Sequence, residues 1–134
     1  MKTNGIYIFL ELWDDETSKK KSNLSKKDIA ILSKDRYWRV REAVAKKTNL
    51  EDQIIYQLSN DKHPNVKKEI IKRHNLTNKI IEQLIDDNSA EVRKKLAEKT
   101  NLPKEMVLKL ANDKDWNVRK TLETNYPSCF FKKA

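Results

Sequence analysis

One spacing governs what this chain can become: chemically equivalent residues recur every 26 positions, in four registered copies. Asp35, Asp61, Asp87 and Asp113 are each followed by Val40, Val66, Val92 and Val118, and then at once by Arg41, Lys67, Arg93 and Arg119. Apolar columns keep the same step. Leu32, Leu58, Leu84 and Leu110 form one, Ile29, Ile55, Ile81 and Val107 a second, and Val44, Ile70, Leu96 and Leu122 a third. Asn23, Asn49, Asn75 and Asn101 also recur, each followed by a leucine. A unit of this size cannot bury its apolar face alone, so successive units must stack and cover one another.

Within a unit the apolar residues fall at spacings of three and four, as in Ile54, Ile55 and Leu58, then Val66, Ile70 and Ile71. That period predicts two short amphipathic helices and no strand, over about 51–59 and 64–73 in the second unit. Pro64 and Pro103 fall at predicted first turns, where a missing N–H costs nothing. Ser89 and Asp115 stand where an N-cap oxygen is wanted. With almost no glycine in the chain, the recurring Asn is expected to supply a left-handed stop after the second helix. The predicted fold is all-α, a short right-handed α-solenoid. Its four helix pairs occupy 23–48, 49–74, 75–100 and 101–126, with a capping element at 1–22 and a tail at 127–134. Ile6, Ile8, Leu10 and Trp13 are the expected cap residues. Cys129, Phe130 and Phe131 are expected to fold back on the other end, and Lys19, Lys20 and Lys21 read as linker-like.

Composition agrees with that class. The chain has 134 residues, 37% of them charged, with one Gly and three Pro, which is wrong for a turn-rich sandwich or barrel. Cys129 is alone and forms no internal disulfide, and no apolar run is long enough to span a bilayer. No secretion signal is legible in the first residues, so the expected address is cytoplasmic.

The run from Asp35 to Ala45, repeated from Asp87 to Ala97, resembles the HEAT-type motif, an Asp followed by Val-Arg and small or apolar residues. The short unit with its Asn-Leu opening, fullest in Asn101-Leu102-Pro103, is closer to the leucine-rich repeat variant, a related α-solenoid. The resemblance spans residues 23 to about 126 and implies a binding surface lined by the second helices. One described member carries a cysteine cluster for an iron–sulfur centre; with Cys129 alone that cofactor is not carried over, and no cofactor is expected.

Placed on a helical wheel, Arg41 lies within the apolar arc, so the column Arg41, Lys67, Arg93, Arg119 reads as structural. Together with Asp35, Asp61, Asp87 and Asp113 it is expected to form a ladder from unit to unit. The opposite arc of the second helices carries Lys46, Lys47, Lys68, Lys72, Arg73, Lys94, Lys95, Lys99 and Lys120. These are expected to make a basic concave stripe facing solvent, with Glu42, Glu69 and Glu98 between them. The net charge is +9, and residues 23–48 alone hold eight bases against three acids. A polyanion or an acidic protein patch should therefore favour that end. Trp38 and Trp116, at one repeat position, are candidate aromatic anchors that also suit end packing.

Catalysis finds no matching constellation. His63 and His74 lie on different elements, Gly5 alone cannot build a phosphate loop, and Asp86 with Asp87 have no nucleophile beside them. No metal site, membrane association or small-molecule substrate is expected. The sequence reads as a non-catalytic binding module for a macromolecule, a protein with an acidic surface first. Nucleic acid, held through its phosphate backbone in the same groove, is the alternative. HEAT-like DNA glycosylases show such a groove around duplex, though none of their catalytic residues is matched.

Overall fold

In the computed structural model the described residues are 13–14, 19–20 and 24–129. They contain eight α-helices whose starts repeat the sequence period. The first helices of the pairs are α1 (Lys26–Leu32), α3 (Asp52–Ser59), α5 (Asn78–Ile85) and α7 (Lys104–Ala111). The second helices are α2 (Trp38–Ala45), α4 (Pro64–Ile71), α6 (Ala90–Ala97) and α8 (Trp116–Asn125). Each set steps by 26 residues from one start to the next. A short antiparallel pair precedes them, with Trp13 opposite Lys20 and Asp14 opposite Lys19. Lys19 and Lys20, read as linker-like, are thus a paired strand. The expected cap residues Ile6, Ile8 and Leu10, and Phe130 and Phe131 of the tail, lie outside the described residues. Cys129 closes a 3₁₀ turn begun at Pro127.

The chain divides into two compact units, Met1–Ile70 and Ile71–Ala134, so that the last residue of α4 belongs to the second. In the first unit Leu32, Val40, Val44, Ile55, Leu58, Val66 and Ile70 form the core; in the second, Ile81, Leu84, Val92, Leu96, Leu110, Val118 and Leu122 do so. These are the repeating columns of the sequence. Each such side chain contributes roughly 1.5–3 kcal/mol on full burial, which is what offsets the ordering of helices too short to stand alone. The first repeat is less covered: Ile29 is only half-buried, whereas its equivalent Ile55 is buried. Within the second unit α6 and α8 lie against each other more extensively than α5 and α7 do.

Helix ends follow local chemistry. Ser25 and Asp28 form a reciprocal capping box at α1, with Asp28 N–H donating to Ser25 Oγ (3.0 Å) and Ser25 N–H to Asp28 Oδ2 (3.1 Å). Thr77, Ser89 and Asp115 accept at the N-termini of α5, α6 and α8. Pro64 opens α4, but Pro103 sits one position earlier than expected, at the N-cap of α7. The recurring Asn does not stop the second helices. α2 and α6 end on Lys46 and Glu98, both right-handed with φ −84° and −78°, and Asn49 and Asn101 come three residues later on the exposed loop.

Candidate functional site

The most ordered polar arrangement is built from the Asp and Arg columns. Each Asp first fixes its own loop: Asp35 accepts from Tyr37 N–H (2.9 Å), Asp61 from His63 N–H (2.9 Å), Asp87 from Ser89 N–H (2.9 Å) and Asp113 from Asp115 N–H (2.8 Å). This turn sets the entry to the second helix. Six residues on, the Arg reaches back to the same Asp's backbone: Arg41 Nη1 donates to Asp35 O (2.6 Å), Arg93 Nη1 to Asp87 O (2.7 Å) and Arg119 Nη1 to Asp113 O (2.6 Å).

The rest of the guanidinium then forks onto the carboxylate of the following repeat. In the first unit Arg41 Nε and Nη2 meet Asp61 at 2.6 and 3.1 Å; in the second, Arg93 Nε and Nη2 meet Asp113 at 2.8 and 3.1 Å. Arg93 is 4% exposed and nonetheless satisfied. Burial alone would raise the Asp113 carboxyl pKa. The hydrogen bond from Arg93, that from Asp115 N–H and the positive charges of Arg93 and Lys114 outweigh it and hold the group below the usual carboxylate range. The bond from Asp113 pushes the Arg93 guanidinium pKa upward.

A second column was not legible as such. Lys99 Nζ donates to Ile71 O and Arg73 O, both at 2.8 Å, and Asn125, one repeat later, donates through Nδ2 to Ala97 O (2.9 Å). The acceptors Ile71 and Ala97 end the second helix of the preceding repeat, so the side chain at this position satisfies orphan helix carbonyls. Lys99 therefore packs inward instead of facing solvent as expected of the stripe. Burial lowers its pKa and that of Arg73 from their ordinary values. Lys95 pairs with Glu98 at 3.1 Å. Lys47, Lys68 and Lys94 are half-buried, and Lys46, Lys72 and Lys120 are exposed. Next to Lys99, Tyr126 Oη donates to Lys99 O (2.6 Å) and accepts from Leu102 N–H (3.0 Å), tying the α6–α7 loop to the end of α8.

Two equivalent clefts separate the ladder positions. The first, about 620 Å³, is lined in the first unit by Lys34, Asp35, Arg36, Trp38, Arg41, Asp61, Lys62 and His63 among others. Trp38 stacks on His63 with ring centroids 3.9 Å apart and planes 11° from parallel, and Arg39 lies 5.0 Å over the Trp38 ring. His63 Nδ1 accepts from Asn65 N–H (3.1 Å), so the ring also caps α4. The second cleft, about 500 Å³, lies two repeats on in the second unit. There Asp86 and Asn88 replace Lys34 and Arg36, and Ala90 and Asp115 replace the stacked pair. One architecture thus carries a basic, aromatic cleft in the first unit and, in the second, one where Asp86, Asp87 and Asp113 balance Arg93, Lys109 and Lys114. Trp116, in contrast to Trp38, is 63% exposed.

No family model, curated protein or solved structure matches this chain. Among the described residues no group of three His, Cys, Asp or Glu is placed to hold a metal, and no helix is long and apolar enough to cross a membrane.

Proposed function

We propose that this chain is a non-catalytic helical-repeat module of HEAT-like or leucine-rich-repeat-variant type that holds an acidic segment of a protein partner in a cytoplasmic setting. The observation that carries this reading is the contrast between the two clefts: the first has Lys34, Arg36 and the Trp38–His63 stack, the second has Asp86 and Asn88 in place of the two cations, and Ala90 and Asp115 stand at the repeat positions of the stacked pair. Exposed Lys34, Arg36 and Lys62 line the cleft with the Trp38–His63 stack, and exposed Arg39 lies over the Trp38 ring, a combination that anchors carboxylates beside an apolar contact. Within the second unit the closer approach of α6 and α8 supports a groove whose inner wall is the second helices, with Lys72 and Lys120 as its exposed cations.

A protein is favoured over a nucleic acid because the ladder carboxylates Asp35 and Asp61 share the cleft, and Lys99 is withdrawn into carbonyl contacts. A phosphate track wants an uninterrupted row of cations.

The test is anisotropy titration of a labelled oligoglutamate peptide and of a random-sequence duplex at about 50 and 200 mM salt. The expected outcome is peptide binding weakened about tenfold or more, some 1.4 kcal/mol, by joint Lys34→Glu and Arg36→Glu substitution. The control pair Lys104→Glu and Lys109→Glu should leave it unchanged. Tighter binding of the duplex with a steep salt slope would shift the function to nucleic acid, and equal losses from both pairs would remove the cleft as the site.

A further inference from the structure

Among the described residues the Arg–Asp ladder leaves Arg119 without a fork partner in the second unit and Asp35 without one in the first. Where the position holds an arginine followed by a further repeat, the fork is completed by the next carboxylate: Arg41 by Asp61, Arg93 by Asp113. Arg119 stands at the same position, and its Nη1 makes the same bond to the backbone, Asp113 O at 2.6 Å. Among the described residues its Nε and Nη2 meet no carboxylate. At the other end Asp35 makes the same turn, to Tyr37 N–H at 2.9 Å, and no described guanidinium forks onto it.

The aromatic position is divided in the same way. Trp38 finds its stacking partner in His63 of the following repeat, whereas Trp116, its equivalent, is 63% exposed. The first-repeat residue equivalent to His63 is Tyr37, and it is 38% exposed. The carboxylate and ring that Arg119 and Trp116 lack are thus of the kinds Asp35 and Tyr37 present.

We infer that two copies of the chain associate head to tail, Arg119 of one forking onto Asp35 of the other while Trp116 stacks on Tyr37 of that second copy. The charges are complementary, and the spacing of the two contacts is the one that Arg41–Asp61 and Trp38–His63 use in the first unit, with Arg36 over one face of the Tyr37 ring and the other face left to Trp116. Such a contact is heterologous, since the surface that each copy offers at one end differs from the one it offers at the other, and association continues beyond two copies.

Sedimentation velocity of the full chain from about 1 μM to 1 mM tests this, a range in which a contact of this modest size should be seen. The wild type should rise in mean mass with concentration and pass beyond the dimer. Arg119→Asp alone and Asp35→Arg alone should each weaken association about tenfold or more, because like charges then face one another. An equimolar mixture of these two variants should recover it, since each junction in the mixture again joins opposite charges. Misfolding cannot imitate that recovery. Trp116→Ser, at an exposed position, should weaken association with no change in melting temperature. A wild type that stays monomeric throughout overturns the inference. So does association that stops at two copies, or that neither the mixture nor Trp116→Ser affects.

Discussion

Arg93 and Asp113 show what a single residue pair does in this fold. Both are nearly excluded from water, and each supplies what the other's burial would otherwise leave unmatched. Removing one partner strands the other charge, so Arg93→Ala should cost about 3–5 kcal/mol in urea unfolding. The pair also sets a pH dependence. Because the native carboxyl of Asp113 lies below its unfolded value of about 3.9, its contribution is complete above that value and disappears as pH falls through the native one. Asp113→Asn should therefore be destabilising at neutral pH, and the gap to wild type should narrow only as the solution becomes more acid than the ordinary carboxylate range. Urea unfolding at a series of pH values checks the sign.

At the scale of the helix, the repeats differ most at their N-termini. The equivalent N-cap positions hold Ser25, Glu51, Thr77 and Pro103, and only Ser25 and Thr77 accept a backbone N–H there. Glu51 instead reaches an exposed Lys26 at 3.3 Å, a pair worth little in water. Glu51→Ser should stabilise the chain by about 0.5–1 kcal/mol, read as a raised urea midpoint with unchanged slope. The second helices need less from their N-caps, because the preceding Asp already accepts from the N-cap residue's own N–H, as Asp87 does from Ser89.

The whole molecule comprises two compact units, each with its own buried columns. In arrays of this kind stability is a sum of near-neighbour contributions, so damage should stay local. Leu96 is completely buried in the second unit, and Leu96→Ala should cost about 2–5 kcal/mol. Amide hydrogen exchange should then lose protection in α6 to α8 well before α1 to α3. Uniform loss across all eight helices would show that the units unfold together.

Helix number, class and phase were legible in the sequence because burial is a property of columns: a residue repeating every 26 positions on an apolar stripe meets the same surroundings each time. Val66, Val92 and Val118 are all completely buried for that reason. The two ladder columns could also be named, since an Asp and an Arg at constant offset have complementary chemistry, but that each Arg forks onto the Asp of the following repeat came from the structure. Tertiary structure alone decided what the charged residues outside the stripe do. Lys99 and Lys46 look alike as letters, yet one ammonium bonds Ile71 O and Arg73 O, and the other is exposed. Which of these holds depends on where a carbonyl from the preceding repeat lies, and that is set by how neighbouring helices pack within a unit. The stacking of Trp38 on His63, and the contrast between the two clefts, arise from that same placement. A hydrophobic pattern identifies which face is covered; the direction of a polar bond across repeats follows only when the packed backbones have fixed its acceptor.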